Sequence, residues 1–215
     1  KIAVIYDSSD TYSTGIYQAF AEEAANQGIE IVNVAAFTAD NNTDFSVQLK
    51  KIKDSGAELL FLPNYYSDNA LILQQAHDAG MDDMKKFGVD GMDGILGVEN
   101  FDTSLAEGVM LLTPFSATSD DEKSKAFVDA YEAANKDEVP NQFAADAYDV
   151  IYAMQLAAND AGITPDMSDE DIMLSAILTF LHVLVPAGAG AGPGPTVRLY
   201  RFHRHLCSFA SDVRS

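Results

Sequence analysis

Apolar and polar residues follow one another in repeating blocks over residues 1–112. A short apolar run is followed by a polar loop and then by a stretch with the 3.6-residue periodicity of an amphipathic helix. Strands are predicted at residues 2–6, 30–35, 58–62, 86–89 and 108–112, and helices at 13–27, 44–55 and 68–79. This alternation predicts an α/β fold with three layers, in which a parallel sheet carries helices on both faces.

The pattern changes after the fifth predicted strand. Residues 119–135 and 141–161 are two long helical stretches with no strand between them, and residues 169–184 are predicted as a third helix. We therefore expect an α/β lobe at residues 1–115, a helical segment at 116–175 and an atypical tail at 176–215.

The tail differs in composition from the rest of the chain. Residues 1–175 hold 32 of the 33 acidic residues and all of the lysines, whereas all four arginines lie later. Residues 186–195 contain only Pro, Ala and Gly, which is a linker-like composition. We interpret the tail as sequence of different origin, against the alternative of a native tail. His203, His205 and Cys207 offer ligand types that suit zinc, but the H-x-H-x-C spacing is weak and we expect no metal site.

Charge and motifs exclude several functions. A net charge of −20 disfavours nucleic acids and anionic membranes as partners. The apolar residues 177–185 are too few to span a bilayer, which requires about 20. The chain lacks the dinucleotide fingerprint, the Walker A sequence and the G-x-S-x-G elbow, and His77 is the only histidine before the tail. We therefore expect no enzyme and no cofactor. An α/β enzyme that uses the same loops is kept as an alternative.

Three loops follow predicted strands and carry side chains that suit a small amine or zwitterion. They contain Tyr12, Tyr65 and Asp90, and the carboxyl ends of parallel strands meet at one edge of a sheet. Aromatic rings cover apolar surface and attract cations, and a carboxylate pairs with an ammonium group. The alternatives are that Tyr12 caps the sheet end, that Tyr66 faces solvent, and that Asp90 and Asp93 only form turns.

Several stretches of the sequence, in this order, resemble the periplasmic binding proteins of the leucine/isoleucine/valine type, the substrate-binding components of ABC importers. They are IAVIYDSSDTYSTGIYQAFAEEAANQG, DFSVQLKKIKDSGAELLFLPNYYSDNALILQQAHDAGM, FGVDGMDG, AEGVMLLTPFS and FVDAYEAANKDEVPNQFAADAYDVIYAMQLAANDAG, covering about residues 1–163. The resemblance implies a lobe of the type I periplasmic-binding-protein fold, an amino acid as ligand, an ABC permease as partner and an extracytoplasmic location.

The resemblance also assigns roles to residues. In the family, the second lobe supplies an aromatic residue from the first loop, a tyrosine after the third strand and an acid after the fourth, and the acid receives the ligand's α-ammonium group. These positions correspond to Tyr12, Tyr65 and Asp90. Tyr66 is the less certain participant.

The chain departs from the family in one respect that affects function. The family begins with another lobe of about 120 residues, which holds the ligand's carboxylate, and this chain corresponds to the second lobe onward. We therefore expect a fragment, or self-association through helices that would pack on the first lobe, and weak binding by this chain alone. The alternative to a transport protein is a ligand-sensing domain of a receptor or regulator with the same fold. The sequence does not identify the ligand.

Overall fold

The computed structural model describes residues 1–136 and 138–175 of the chain. By its internal contacts the chain divides after Thr113 into two units, Lys1–Thr113 and Pro114–Ser215. The first unit contains the sheet, and the described part of the second contains two long helices. The tail predicted at 176–215, with His203, His205 and Cys207, lies outside the described residues, and the three-segment organisation stays a prediction.

The first unit is built on a parallel sheet of five strands. These are β1 (Ile2–Asp7), β2 (Ile31–Phe37), β3 (Leu59–Leu62), β4 (Lys85–Gly88) and β5 (Met110–Leu111). Their order in the sheet is β2-β1-β3-β4-β5, and every neighbouring pair is parallel. The predicted α/β class and the parallel sheet are therefore confirmed, although β5 is shorter than expected.

Helices cover both faces of this sheet. The first unit contains α1 (Thr11–Asn26), α2 (Ser46–Asp54) and α3 (Tyr66–Asp78). Alternate residues of β1 point to opposite faces: Ala3 and Ile5 pack in a core with α2 and α3, whereas Val4 packs with residues of α1 on the other face. The prediction of helices on both faces is thus confirmed.

Two helices begin earlier than the periodicity predicts. The α1 helix starts at Thr11 instead of residue 13, because the Asp10 carboxylate caps it by accepting a hydrogen bond from the Ser13 N–H at 2.7 Å. The α3 helix starts at Tyr66 instead of residue 68, so Tyr66 belongs to the helix and not to the preceding loop. Two short 3₁₀ turns, Asp90–Met92 and Ile95–Gly97, follow β4.

The second unit contains α4 (Glu122–Ala134) and α5 (Gln142–Asp160), and residues 169–175 are also helical. Phe127 of α4 is buried and packs against the Tyr148 ring of α5, with centroids 4.8 Å apart. Val150, Ile151 and Met154 of α5 are 53%, 65% and 60% exposed. Apolar side chains of α5 are therefore exposed in the part of the chain that the structure describes.

No helix among residues 1–136 and 138–175 combines the length and the apolar content needed to cross a bilayer.

The core of the first unit gives a direct test of the fold. Leu49 of α2 is fully buried, whereas Val47 on the same helix is 62% exposed. We expect Leu49→Ala to lower the free energy of unfolding by about 2–5 kcal/mol, because it leaves a cavity. The control Val47→Ala should change it by less than about 0.5 kcal/mol. Urea unfolding measures both, and equal losses in the two variants would contradict this packing.

Candidate functional site

The candidate site lies at the carboxyl edge of the sheet, where the strand order reverses. The chain runs from β1 to β2 on one side and then crosses to β3 on the other side of β1, so β1 and β3 flank the reversal. In open α/β sheets the crevice outside this point is the usual place for a ligand. Tyr12, Tyr65 and Asp90 follow β1, β3 and β4, respectively, at this edge.

The hydroxyl group of Tyr12 joins two of the loops. It donates a hydrogen bond of 2.6 Å to Asp90 Oδ1 and accepts one of 2.7 Å from the Gly91 N–H. A hydrogen bond to a carboxylate is shorter and stronger than one between neutral groups. Tyr12 therefore fixes the Asp90 carboxylate and the turn that carries it.

The third predicted residue joins the same cluster. The rings of Tyr12 and Tyr65 stack, with centroids 4.7 Å apart and an interplanar angle of 25°. Tyr65 is 40% exposed and holds the N-cap position of α3. The two rings form a partly exposed aromatic surface beside Asp90, so the structure brings all three sequence-predicted residues together.

The close approach of Tyr12 to the Asp90–Met92 turn requires a glycine. A Cβ atom on Gly91 would lie 2.7 Å from the Tyr12 hydroxyl oxygen and 2.9 Å from a ring carbon. Real Cβ atoms do not approach other atoms so closely, so a side chain here would displace the tyrosine. Nothing in the sequence shows which ring packs on Gly91.

The environment of Tyr12 makes its hydroxyl a persistent donor. Burial raises the pKa of Tyr12 above its usual value of 10, and the hydrogen bond to Asp90 raises it further, while the Gly91 N–H opposes the shift. A tyrosine with a raised pKa remains protonated throughout the neutral range. The hydroxyl group therefore still donates its hydrogen bond to Asp90 throughout the neutral range.

Carboxylates make this edge of the sheet negative. Asp7, at the end of β1, is 7% exposed, and its Oδ1 accepts hydrogen bonds from the Ser9 N–H at 2.8 Å and the Ser9 hydroxyl at 2.6 Å. The pKa of half-buried Asp68 is raised by burial and by the charges of Asp7 and Asp10, against a hydrogen bond from Asn42. Such an edge favours a cation over an anion.

The other residues considered from the sequence have different positions. Tyr66 is the first residue of α3 and is 39% exposed. Asp93 Oδ1 accepts a hydrogen bond of 3.0 Å from the Gly94 N–H, which is the contact expected of a turn residue. Asn64, which directly precedes Tyr65, is fully buried.

A second cavity of about 280 Å³ lies away from this edge, at the end of α3. Its polar lining includes His77, Asp82, Lys86 and Glu107. His77 Nδ1 lies 2.8 Å from Asp82 Oδ1. The Lys86 ammonium group donates to three backbone carbonyls, those of Met81, Asp82 and Met84. Its protons are therefore committed to the protein, and the cavity is a weaker candidate for a ligand.

The hydrogen bond between Tyr12 and Asp90 makes a pH-dependent contribution to stability. At pH 7 we expect Tyr12→Phe to lower the free energy of unfolding by about 1 kcal/mol, since solvent weakens a half-exposed hydrogen bond. The pKa of Tyr12 is raised in the folded state. The contribution is therefore complete below about pH 10, the pKa in the unfolded chain, and is lost as the pH rises further.

Urea unfolding of the wild type and Tyr12→Phe between pH 7 and 11 measures this difference. Tyr66→Phe, at an exposed ring, controls for the loss of a phenol as such. A difference between wild type and Tyr12→Phe that grows above pH 10 would contradict the assignment.

Gly91 gives an independent test of the same cluster. We expect Gly91→Ala to cost about 1–3 kcal/mol of stability, because the new methyl group collides with the Tyr12 ring. The matched control is Gly97→Ala, where no atom lies within 4 Å of the added Cβ. Equal stability of the two variants in urea unfolding would show that Tyr12 does not pack on this turn.

Comparison with known proteins identifies a family model and several relatives of this chain. The family model described as periplasmic binding protein matches residues 1–176. Leu/Ile/Val-binding protein homolog 3 of Brucella melitensis is 30% identical over 169 residues, which are 77% of this chain and 43% of that protein. The leucine-, isoleucine-, valine-, threonine- and alanine-binding protein of Pseudomonas aeruginosa is 29% identical over 136 residues, which are 63% of this chain and 35% of that protein.

Solved structures of similar proteins share this fold. The branched-chain amino acid transporter substrate-binding protein LivJ of Streptococcus pneumoniae, solved with isoleucine, has a TM-score of 0.68 and 30% identity over 81% of this chain and 47% of its own. LivK of Thermotoga maritima, a leucine binding protein, has a TM-score of 0.63 and 22% identity over 81% of this chain and 48% of its own, a likeness in fold alone. The chain spans less than half the length of these relatives. It belongs to the periplasmic binding protein family, among relatives of the Leu/Ile/Val-binding type.

Proposed function

We propose that the chain forms one side of an amino-acid site in the substrate-binding protein of an ABC importer, located outside the cytoplasm. The observation that carries this proposal is the cluster in which Tyr12 donates to Asp90 and stacks on Tyr65. The isoleucine complex of a relative with 30% identity supports the ligand class. The permease partner is proposed from the same relative, which is named a transporter component.

In this proposal each of the three side chains has a separate task. Asp90 receives the ligand's α-ammonium group through a charge-assisted hydrogen bond. Tyr12 holds that carboxylate at 2.6 Å, and the faces of Tyr12 and Tyr65 cover apolar ligand surface. Aromatic faces also attract an ammonium group, so the rings and the carboxylate favour the same end of the ligand.

The charge of the edge determines which way the ligand faces. A ligand carboxylate directed toward β1 and α3 would meet the negative charges of Asp7, Asp10 and Asp68. The ammonium group therefore faces this edge, and the carboxylate faces away from it. Partners for the carboxylate come from outside the edge, which agrees with the two-lobed site that the family resemblance implies.

The free energies of the proposed contacts determine the affinity expected of this edge alone. A hydrogen bond to a charged group contributes about 1.5–3 kcal/mol net, whereas micromolar binding requires about 8 kcal/mol. One ammonium contact with some covered apolar surface therefore gives binding in the millimolar range. Micromolar binding of an amino acid to a monomer of this chain, measured by calorimetry, would refute this part of the proposal.

The proposal includes the absence of catalysis. A general acid at neutral pH needs a pKa near 7, and burial and Asp90 move the pKa of Tyr12 in the opposite direction. The pair is therefore suited to a fixed hydrogen bond and not to proton transfer. A sensory role outside transport would use the same site, and the transport role is preferred here because the relatives are named as transporter components.

The experiment that tests the proposal is thermal unfolding of the 215-residue chain against the twenty amino acids at millimolar concentrations. A ligand that binds only the folded state raises the melting temperature. We expect apolar amino acids to raise it for the wild type, and we expect Asp90→Asn to abolish the effect. Asp83→Asn makes the same charge change at an exposed residue before β4 and should leave the ligand effect intact.

Two results would contradict the proposal. One is the same increase in melting temperature for Asp90→Asn and the wild type, which would separate binding from Asp90. The other is the absence of any increase for a folded wild type, which would remove the amino-acid site from this chain.

A further inference from the structure

The pairing between β1 and β3 stops early on the side of the crevice. These strands pair from Ile2 opposite Leu59 to Val4 opposite Phe61, whereas β1 remains paired with β2 as far as Asp7. If the register continued, Ile5 would lie opposite Leu62 and Tyr6 opposite Pro63, where the bridge to β1 would use the N–H of residue 63. Proline has no backbone N–H and cannot donate across the ladder, so the backbone pairing cannot extend through this bridge.

The side chain of Asn64 makes the contacts that this bridge would have made. Its Oδ1 accepts a hydrogen bond of 2.9 Å from the Asp7 N–H, and its Nδ2 donates one of 3.0 Å to the Ile5 carbonyl. In a parallel ladder a residue opposite Tyr6 bonds these same two groups through its backbone. The amide of Asn64 therefore takes the place of a strand residue while its own backbone leaves the sheet.

A second asparagine holds the first in position. Asn64 Nδ2 also donates to Asn69 Oδ1 at 3.1 Å, and Asn69 Nδ2 donates to the backbone carbonyl of Asn64 at 2.9 Å. Both residues are fully buried, and Asn69 belongs to the first turn of α3. Buried amides that satisfy each other in this way specify one geometry, because any displacement leaves a polar group without a partner.

The bridge determines where the aromatic part of the candidate site lies. Tyr65 directly follows Asn64, and Tyr12 lies in the first turn of α1, five residues after Asp7. The amide of Asn64 joins the ends of β1 and β3, from which these two residues continue. The 4.7 Å separation of their rings therefore depends on a contact that neither tyrosine makes itself.

We propose that Asn64 is a positioning residue for the amino-acid site: its side chain bridges the ends of β1 and β3 and fixes the spacing of Tyr12 and Tyr65. The inference rests on the proposed function for its effect on binding, whereas the bridge itself is testable without a ligand. Asn69 supports the bridge from α3.

The test compares Asn64→Ala with Leu49→Ala in the full chain. Both remove a fully buried side chain, but Leu49 lies in α2, belongs to the apolar core and takes no part in the hydrogen bonds of Asn64. Amide hydrogen exchange followed by NMR gives a readout that needs no ligand. In Asn64→Ala we expect the Asp7 amide to exchange roughly tenfold faster relative to the Val4 amide, because its acceptor is lost. In Leu49→Ala the ratio of the two rates should stay as in the wild type.

Binding gives the second readout, at a temperature where both variants are folded. We expect Asn64→Ala to weaken binding of the amino acid found in the wild-type screen by roughly tenfold, because a small displacement of a binding group is costly. Leu49→Ala should bind as the wild type does. Asn69→Ala, which keeps both contacts of Asn64 with β1, should show a smaller change in each readout.

The outcomes separate the bridge from the proposed function. An unchanged exchange ratio for Asp7 in Asn64→Ala overturns the bridge, whatever happens to binding. A faster Asp7 amide with binding equal to that of Leu49→Ala overturns the positioning role. If the wild type binds no amino acid, the proposed function fails and the positioning role in that site fails with it, while the exchange ratio still decides whether the bridge exists. If Asn64→Ala does not fold, Asn69→Ala is judged by the same two readouts.

Discussion

The unequal pairing on the two sides of β1 is the constraint from which the candidate site follows. Toward β2 the ladder continues as far as Asp7, and toward β3 it ends at Val4. The sheet therefore opens on one side only, at the point where the strand order reverses. Pro63 makes this opening unavoidable because it lacks a donor, and Asn64 keeps the opening narrow by bonding to the Ile5 and Asp7 backbone.

The cluster at the edge depends on contacts between residues that are distant in sequence. The Tyr12 hydroxyl reaches Asp90, 78 residues later, and the Gly91 N–H beside it. The ring of Tyr12 stacks on Tyr65, 53 positions later in the chain. Each such contact is weak by itself, but the three loops share one tyrosine, so a change in any of them displaces the others. The Asp10 cap of α1 contributes indirectly, because it fixes the helical turn that carries Tyr12.

The sequence predicted this arrangement well where a pattern is local and poorly where a contact is not. Apolar runs predicted the five strands, and parallel strand order implied that Tyr12, Tyr65 and Asp90 would meet at one edge. The Asp10 cap was missed because Ser8, Ser9, Asp10 and Thr11 all suit turns and caps, and periodicity does not choose among them. The Asn64 bridge was missed because its partners belong to another strand.

Site geometry and electrostatics lead to the same ligand orientation. Asp7 and Asp10 already raise the pKa of Asp68, so like charges repel one another at this edge before any ligand arrives. An ammonium group within the screening length of about 8 Å lowers that repulsion, and a carboxylate within it increases the repulsion. Asp90 lies where a cation would also meet two aromatic faces. A preference for positive charge is thus a property of the whole edge, to which Asp90 adds a carboxylate held by Tyr12.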